Sequence, residues 1–151
     1  MKKPYQALIF DWDGTLADST SMIVNAVQQA FVENDFAMPS DSEASHIIGL
    51  ALPKAMQHLA PQANADEIFA LSESYKRLFL NPNNQMRLFQ DAQALLPSLK
   101  PDYWLTVATG KSRRGLDRAL TEVGLDNGFF LATRTVDECA SKPSPDMILS
   151  L

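Results

Sequence analysis

The sequence predicts an α/β protein, an open parallel sheet with helices on its faces, interrupted early by an all-helical insertion. Three observations carry this. The apolar run Ala7-Leu8-Ile9-Phe10 is followed at once by two acidic residues and a glycine, the pattern of a buried strand that ends in a site. A second β-branched and aromatic run, residues 103–109, appears only far along the chain, and the stretch between repeats its apolar residues at helical spacing. From there on, strand-like and helix-like segments alternate, which implies a parallel sheet.

Composition sets the bounds. A chain of 151 residues with 46% hydrophobic content can bury one core and a small satellite domain. The net charge of -5, with no basic cluster except Lys111 to Arg114, argues against a nucleic-acid surface. A small anionic substrate needs only one local basic pocket. The single Cys139 excludes an internal disulfide and a thiolate zinc cluster, and is expected as a small, partly buried side chain. Met1-Lys2-Lys3-Pro4 leads into an apolar run too short for a signal sequence, and no stretch approaches membrane-spanning length. The expected compartment is the cytoplasm, without membrane contact.

Taken in order, the first strand covers residues 7–10 and is expected to be buried on both faces. Alternation along it puts Asp11 and Asp13 on one face if the strand runs on, and Gly14 lets the backbone leave the extended path. Both carboxylates then stand at a carboxyl-terminal strand edge, where open α/β sheets place ligands. Residues 21–34 line up Met22, Ile23, Ala26, Val27, Ala30 and Phe31 as one amphipathic helix. Pro39-Ser40-Asp41-Ser42 offers capping chemistry for a short helix over 43–48, which Gly49 can stop in a left-handed conformation. Pro53 suits the first turn of a helix over 54–59. Asn64 can cap a longer one that buries Ile68, Leu71, Tyr75, Leu78 and Phe79 and ends at Asn81-Pro82-Asn83-Asn84. A crossover between parallel strands needs only about a dozen residues. Residues 17–85 therefore form a separate helical subdomain, inserted into a core built from 1–16 and 86–151.

The core resumes near Met86. Asp91 can cap a helix over 92–100 with Leu95, Leu96 and Leu99 facing inward; residues 103–109 make the second strand. Gly110 ends that strand, Ser112 caps a helix reaching Val123, and Phe129-Phe130-Leu131-Ala132 makes a short third strand. Thr109, followed by Gly110 and a helix start, supplies a hydroxyl and free backbone N–H groups, a natural cradle for phosphate oxygens. Gly110-Lys111-Ser112 imitates the end of a Walker A loop, but the glycine that loop needs five positions before Gly110 is Leu105, inside a strand, so an NTPase is excluded. In Ser141-Lys142-Pro143-Ser144-Pro145-Asp146 the two prolines predict a stiff, extended approach that carries Lys142, with Ser144 capping the helix that Pro145 begins.

The stretch Asp11-Trp12-Asp13-Gly14-Thr15-Leu16-Ala17-Asp18-Ser19 resembles the first motif of the haloacid dehalogenase superfamily of phosphotransferases. Thr109 and Lys142 stand in the order and context of its second and third motifs. The resemblance implies a Rossmann-like core, its C-terminal part missing from this chain, and makes 17–85 a helical cap that closes over the active site and selects substrates. It implies a magnesium-dependent phosphatase of a small phosphorylated metabolite, most like the phosphoglycolate phosphatase branch. A phosphotransferase of the β-phosphoglucomutase type and a non-catalytic phosphate-binding fragment are the alternatives; Thr15 and the apolar Leu50-Ala51-Leu52 lean toward hydrolysis.

By the same resemblance, Asp11 is the nucleophile, Asp13 the general acid and base, and Lys142 the partner of Asp11 and the phosphoryl oxygens. Thr109, Gly110 and Lys111 bind phosphate or substrate, and Asp11 and Asp13, the latter through its backbone carbonyl, hold Mg2+. Gly49, in Ile48-Gly49-Leu50-Ala51-Leu52, belongs either to a substrate-binding cap loop or to a plain helix stop. The chemistry agrees with this set. A phosphate dianion repels a nucleophile, two acids alone would worsen the repulsion, and a cation with Lys142 relieves it. Among Lys111, Arg113 and Arg114 at least one arginine is expected to be a solvated first turn, and His46 and His58 to be surface or packing residues. The departure is a fourth motif, an acidic pair that completes the magnesium shell. None follows the Pro145 helix, and Asp137-Glu138 would lie after the wrong strand. Very weak catalysis is the expectation, with an apolar edge beside the first strand that is exposed or covered by self-association.

Overall fold

A computed structural model describes residues 4–151. The reading of Met1, Lys2 and Lys3 as no leader lies outside them. In chain order the elements are β1 (Ala7–Phe10), α1 (Thr20–Glu33), α2 (Asp41–His46), α3 (Leu52–Leu59), α4 (Ala65–Phe79), α5 (Gln90–Leu99), β2 (Trp104–Ala108), α6 (Arg113–Glu122), β3 (Ala132–Arg134) and α7 (Asp146–Leu149). They fall into two compact units, Met1–Asp18 with Met86–Leu151, and Ser19–Gln85. No helix among the described residues is long and apolar enough to cross a membrane.

The first unit is α/β. Its parallel sheet has the order β1-β2-β3, with Leu8 opposite Leu105, Phe10 opposite Val107, and Thr106 opposite Ala132. Leu105, Val107, Leu96, Leu116 and Met147 are buried in it. Burial of β1 on both faces is not what the structure shows. Ala7 and Ile9 are exposed and Leu8 and Phe10 half-buried, because among the described residues β1 is an edge strand paired only with β2. The third strand also lies further along than its aromatic run suggests. Phe129 packs edge-on against Phe130, whose ring stands edge-on to Trp12, so these aromatics fill a turn. The ladder starts only where the Leu131 N–H reaches the Leu105 carbonyl at 2.8 Å. In α5, Ala92 and Leu96 face inward but Leu95 is exposed, and Asp91 sits in the first turn rather than at the cap, where it favours the helix dipole.

The two strands of chain that connect the units run side by side. Ala17 bridges Leu88 in antiparallel fashion, the Asp18 N–H donates to the Arg87 carbonyl and the Phe89 N–H to that of Leu16, both at 2.9 Å. These bonds explain why the first unit runs on to Asp18, two residues beyond the boundary expected from the sequence.

The second unit is all helical. α1 packs on α2 and α4, and α3 on α4, around Ile23, Val27, Phe31, Met56 and Leu71. Ser40 and Glu43 form a reciprocal capping box that starts α2 at Asp41, earlier than the apolar pattern implied, and Asn64 with Glu67 does the same for α4. Gly49 follows α2 at φ +95°, a conformation that favours glycine.

Candidate active site

β1 delivers Phe10 into the sheet and then releases the chain. Trp12, fully buried, anchors the segment, and the half-buried Asp11 and Asp13 flank it. Beyond them the backbone curls around the Trp12 carbonyl, which accepts from the N–H groups of Thr15, Leu16 and Ala17 at 3.2, 3.0 and 3.0 Å. Gly14 makes this curl at φ +75°, and its N–H closes it on the Ala17 carbonyl at 3.0 Å. The sequence Asp-x-Asp-Gly thus encodes a rigid turn that presents two carboxylates beyond the end of a strand.

Each carboxylate meets a lysine from a different loop. Lys142 Nζ donates to Asp11 Oδ1 at 2.8 Å, and Lys111 Nζ lies 3.2 Å from Asp13 Oδ1. The second pair is the more enclosed. Side-chain exposure is 9% for Lys111 and 12% for Asp13, against 32% for both Lys142 and Asp11, so Asp11 is the more accessible acid. Thr109 is buried just past the end of β2; its N–H extends the ladder to the Arg134 carbonyl, and its Oγ1 accepts from the Lys111 N–H at 3.2 Å. Gly110 is the half-buried link between them. Asp11, Asp13, Thr109, Gly110, Lys111 and Lys142 all belong to the first unit. Gly49 belongs to the second, where a Cβ at that position would meet nothing within 4 Å, so its backbone conformation is the constraint there.

Lys142 does not sit on an extended approach. Residues 142–143 form a turn closed by the Ser144 N–H on the Ser141 carbonyl at 3.1 Å, and Ser144 Oγ accepts from the Asp146 N–H. The local pattern reads only the stiffness of the prolines; the hydrogen bond decides the direction. Sequence reasoning also missed Arg113. Its guanidinium holds Glu138 at 2.5 and 2.9 Å and Thr133 Oγ1 at 2.9 Å, while its backbone N–H donates to Asp137 Oδ2 at 2.7 Å. The Arg113 hydrogen bond, the largest influence, pulls the Glu138 carboxyl down to about 2. Asp137-Glu138 is therefore engaged by α6, and Arg114 is the solvated arginine of the first turn.

The donors fit magnesium. Asp11 offers a hard carboxylate oxygen and Asp13 a hard backbone carbonyl oxygen, the donor type magnesium takes, with waters and substrate oxygens in the rest of its shell. Among the described residues no group of three or more His, Cys, Asp or Glu side chains stands together to hold a metal.

The profile of the haloacid dehalogenase-like hydrolases matches residues 8–151. The chain belongs to that family. The chain is 30% identical over 154 residues to pyrophosphatase PpaX of Listeria monocytogenes, covering 95% of this chain and 67% of that one. It is 30% identical over 126 residues to tyrosine-protein kinase PtkA of Mycobacterium tuberculosis, covering 82% and 42% respectively. The chain thus spans from about two-fifths to two-thirds of the length of these curated relatives. Its fold is that of a crystal structure from Haemophilus somnus described as a predicted phosphoglycolate phosphatase, with a TM-score of 0.81 at 22% identity, covering 96% of this chain and 69% of that one.

Proposed function

We propose that this haloacid dehalogenase-like chain carries the phosphoryl-transfer site of a magnesium-dependent phosphatase acting on a small phosphorylated metabolite, in the manner of the phosphoglycolate phosphatase branch. The observation that supports it is the pairing of Asp11 with Lys142 and of Asp13 with Lys111 at the end of β1, beside the Thr109 hydroxyl. Two lysines set against the two acids at one strand end suit the arrival of a phosphate dianion, which the acids alone would repel.

In this reading an Asp11 carboxylate oxygen attacks phosphorus in line. The phosphorus bond to the leaving oxygen breaks, and the Asp13 carboxyl gives that oxygen its proton. An aspartyl-phosphate remains. Asp13, now ionised, takes a proton from water as the water attacks the intermediate, freeing phosphate and Asp11. Lys142 stays beside Asp11 and balances the phosphoryl charge. Lys111, with three N–H donors, serves Asp13 and a further substrate oxygen together. Thr109 donates its hydroxyl proton to a phosphoryl oxygen. Magnesium, for which the Asp11 carboxylate and the Asp13 backbone carbonyl would be the ligands, would supply neutralisation of the same charge.

A second reading replaces water by another acceptor, and the similarity to the mycobacterial protein named a tyrosine kinase favours keeping it. A panel of phosphorylated metabolites, incubated with excess protein and magnesium, separates the two. Free phosphate is expected; phosphate recovered only on an added acceptor supports transfer, and no turnover of any compound above the uncatalysed rate overturns both.

A further inference from the structure

Asp137 and Glu138 form an acidic pair that the proposed chemistry leaves unused, and their surroundings are unusually well tied. Three links join residues 136–138 to residues 111–113. The Val136 N–H donates to the Lys111 carbonyl at 3.2 Å, the Arg113 N–H to Asp137 at 2.7 Å, and the Arg113 guanidinium grips Glu138 with two N–H groups. Glu138 Oε2 also accepts from the Thr135 N–H at 2.8 Å, which folds the segment back on itself. On the other side the Ala140 N–H donates to Asp146 Oδ2 at 2.8 Å, so the turn that carries Lys142 is pinned at both ends. One loop therefore holds the carbonyl of Lys111 at its start and leads to Lys142 at its end.

We propose that Arg113 and Glu138 are positioning residues, whose two-pronged ion pair fixes the Lys142 loop against the Lys111 loop and so sets the spacing of the two lysines for a phosphoryl group. This rests on the reading of the site given above. A guanidinium suits the task, because its planar fork fixes direction as well as distance, which a lysine at the same place would not. Asp137 holds the backbone of Arg113 independently of the side-chain pair, so removing the pair loosens the junction without releasing α6. Ser112 still caps that helix through the Gly115 N–H at 3.1 Å.

The test uses the full chain, with inorganic phosphate plus magnesium as the probe in titration calorimetry, and amide hydrogen exchange over residues 135–146 as the second readout. Glu138→Gln and Arg113→Lys should each weaken phosphate binding about tenfold and speed exchange in that segment, and the double variant should be no worse than either single one. Arg118→Gln, which breaks the neighbouring pair with Glu122 on the same helix, should change neither. Unaltered affinity and exchange in Glu138→Gln overturn the proposal. So does a loss that spreads evenly over the first unit, or that Arg118→Gln reproduces, since either marks a merely structural pair. A wild-type chain that binds no phosphate brings down the site reading itself, and the proposal with it; that failure is recognisable because it precedes any substitution.

Discussion

Lys142 and Asp11 are 131 residues apart in sequence and 2.8 Å apart in space, and their worth is chemical more than structural. Both side chains are about one-third exposed, so the pair adds little to stability. Lys142→Met should cost under about 1 kcal/mol in urea unfolding, yet weaken magnesium-dependent phosphate binding tenfold or more. A variant that unfolds instead would make Lys142 a structural residue. Glu138 makes the complementary prediction. Its folded carboxyl is depressed from 4.5 to about 2, so it contributes stability above pH 4.5, lost as pH falls from there toward 2. The Glu138→Gln variant should lose part of that acid dependence in thermal melts followed between those pH values. The meeting of Lys142 with Asp11 was legible in the sequence because residue type and local order mark both. The Arg113 to Glu138 pair was not, since its partners lie 25 residues apart on elements whose approach no local spacing encodes.

Among the elements, the helices were the most legible, because an apolar stripe at helical spacing survives small errors of boundary. α1 begins one residue before its expected start, and α2 begins two before because the Ser40 and Glu43 box claims the first turn. β3 was misplaced because an aromatic run looks like a strand even where its rings serve tertiary packing. The caps carry a measurable share of stability. Asn64 accepts from the N–H groups of both Asp66 and Glu67 at 3.0 Å, so Asn64→Ala should cost about 1 kcal/mol. Gly49→Ala should cost about 1–2 kcal/mol, because its left-handed backbone disfavours any Cβ even with open space around it. Denaturant titration of each variant checks both; a Gly49→Ala chain as stable as wild type would show that the turn relaxes.

At the scale of the whole molecule, the site gathers residues from both segments of the first unit, which the helical unit separates in sequence. The α/β class, the parallel sheet and the helical insertion were legible. The exposure of β1 follows from its having one ladder partner among the described residues, which composition cannot reveal. Ile9 on that strand is 39% exposed, and an edge strand with one ladder partner invites pairing with a second chain. Light scattering should show a molar mass that rises with concentration, and Ile9→Lys should suppress the rise; a constant monomer mass for the wild type contradicts this. The central claim is that Asp11 accepts the phosphoryl group. Borohydride reduction of the chain after incubation with an aryl phosphate and magnesium, followed by peptide mass spectrometry, tests it most directly. The account predicts conversion of Asp11 to homoserine, dependent on magnesium and on the phosphate ester and absent in Asp11→Asn. An unmodified Asp11 under conditions where phosphate is released, or reduction at another carboxylate, would contradict it.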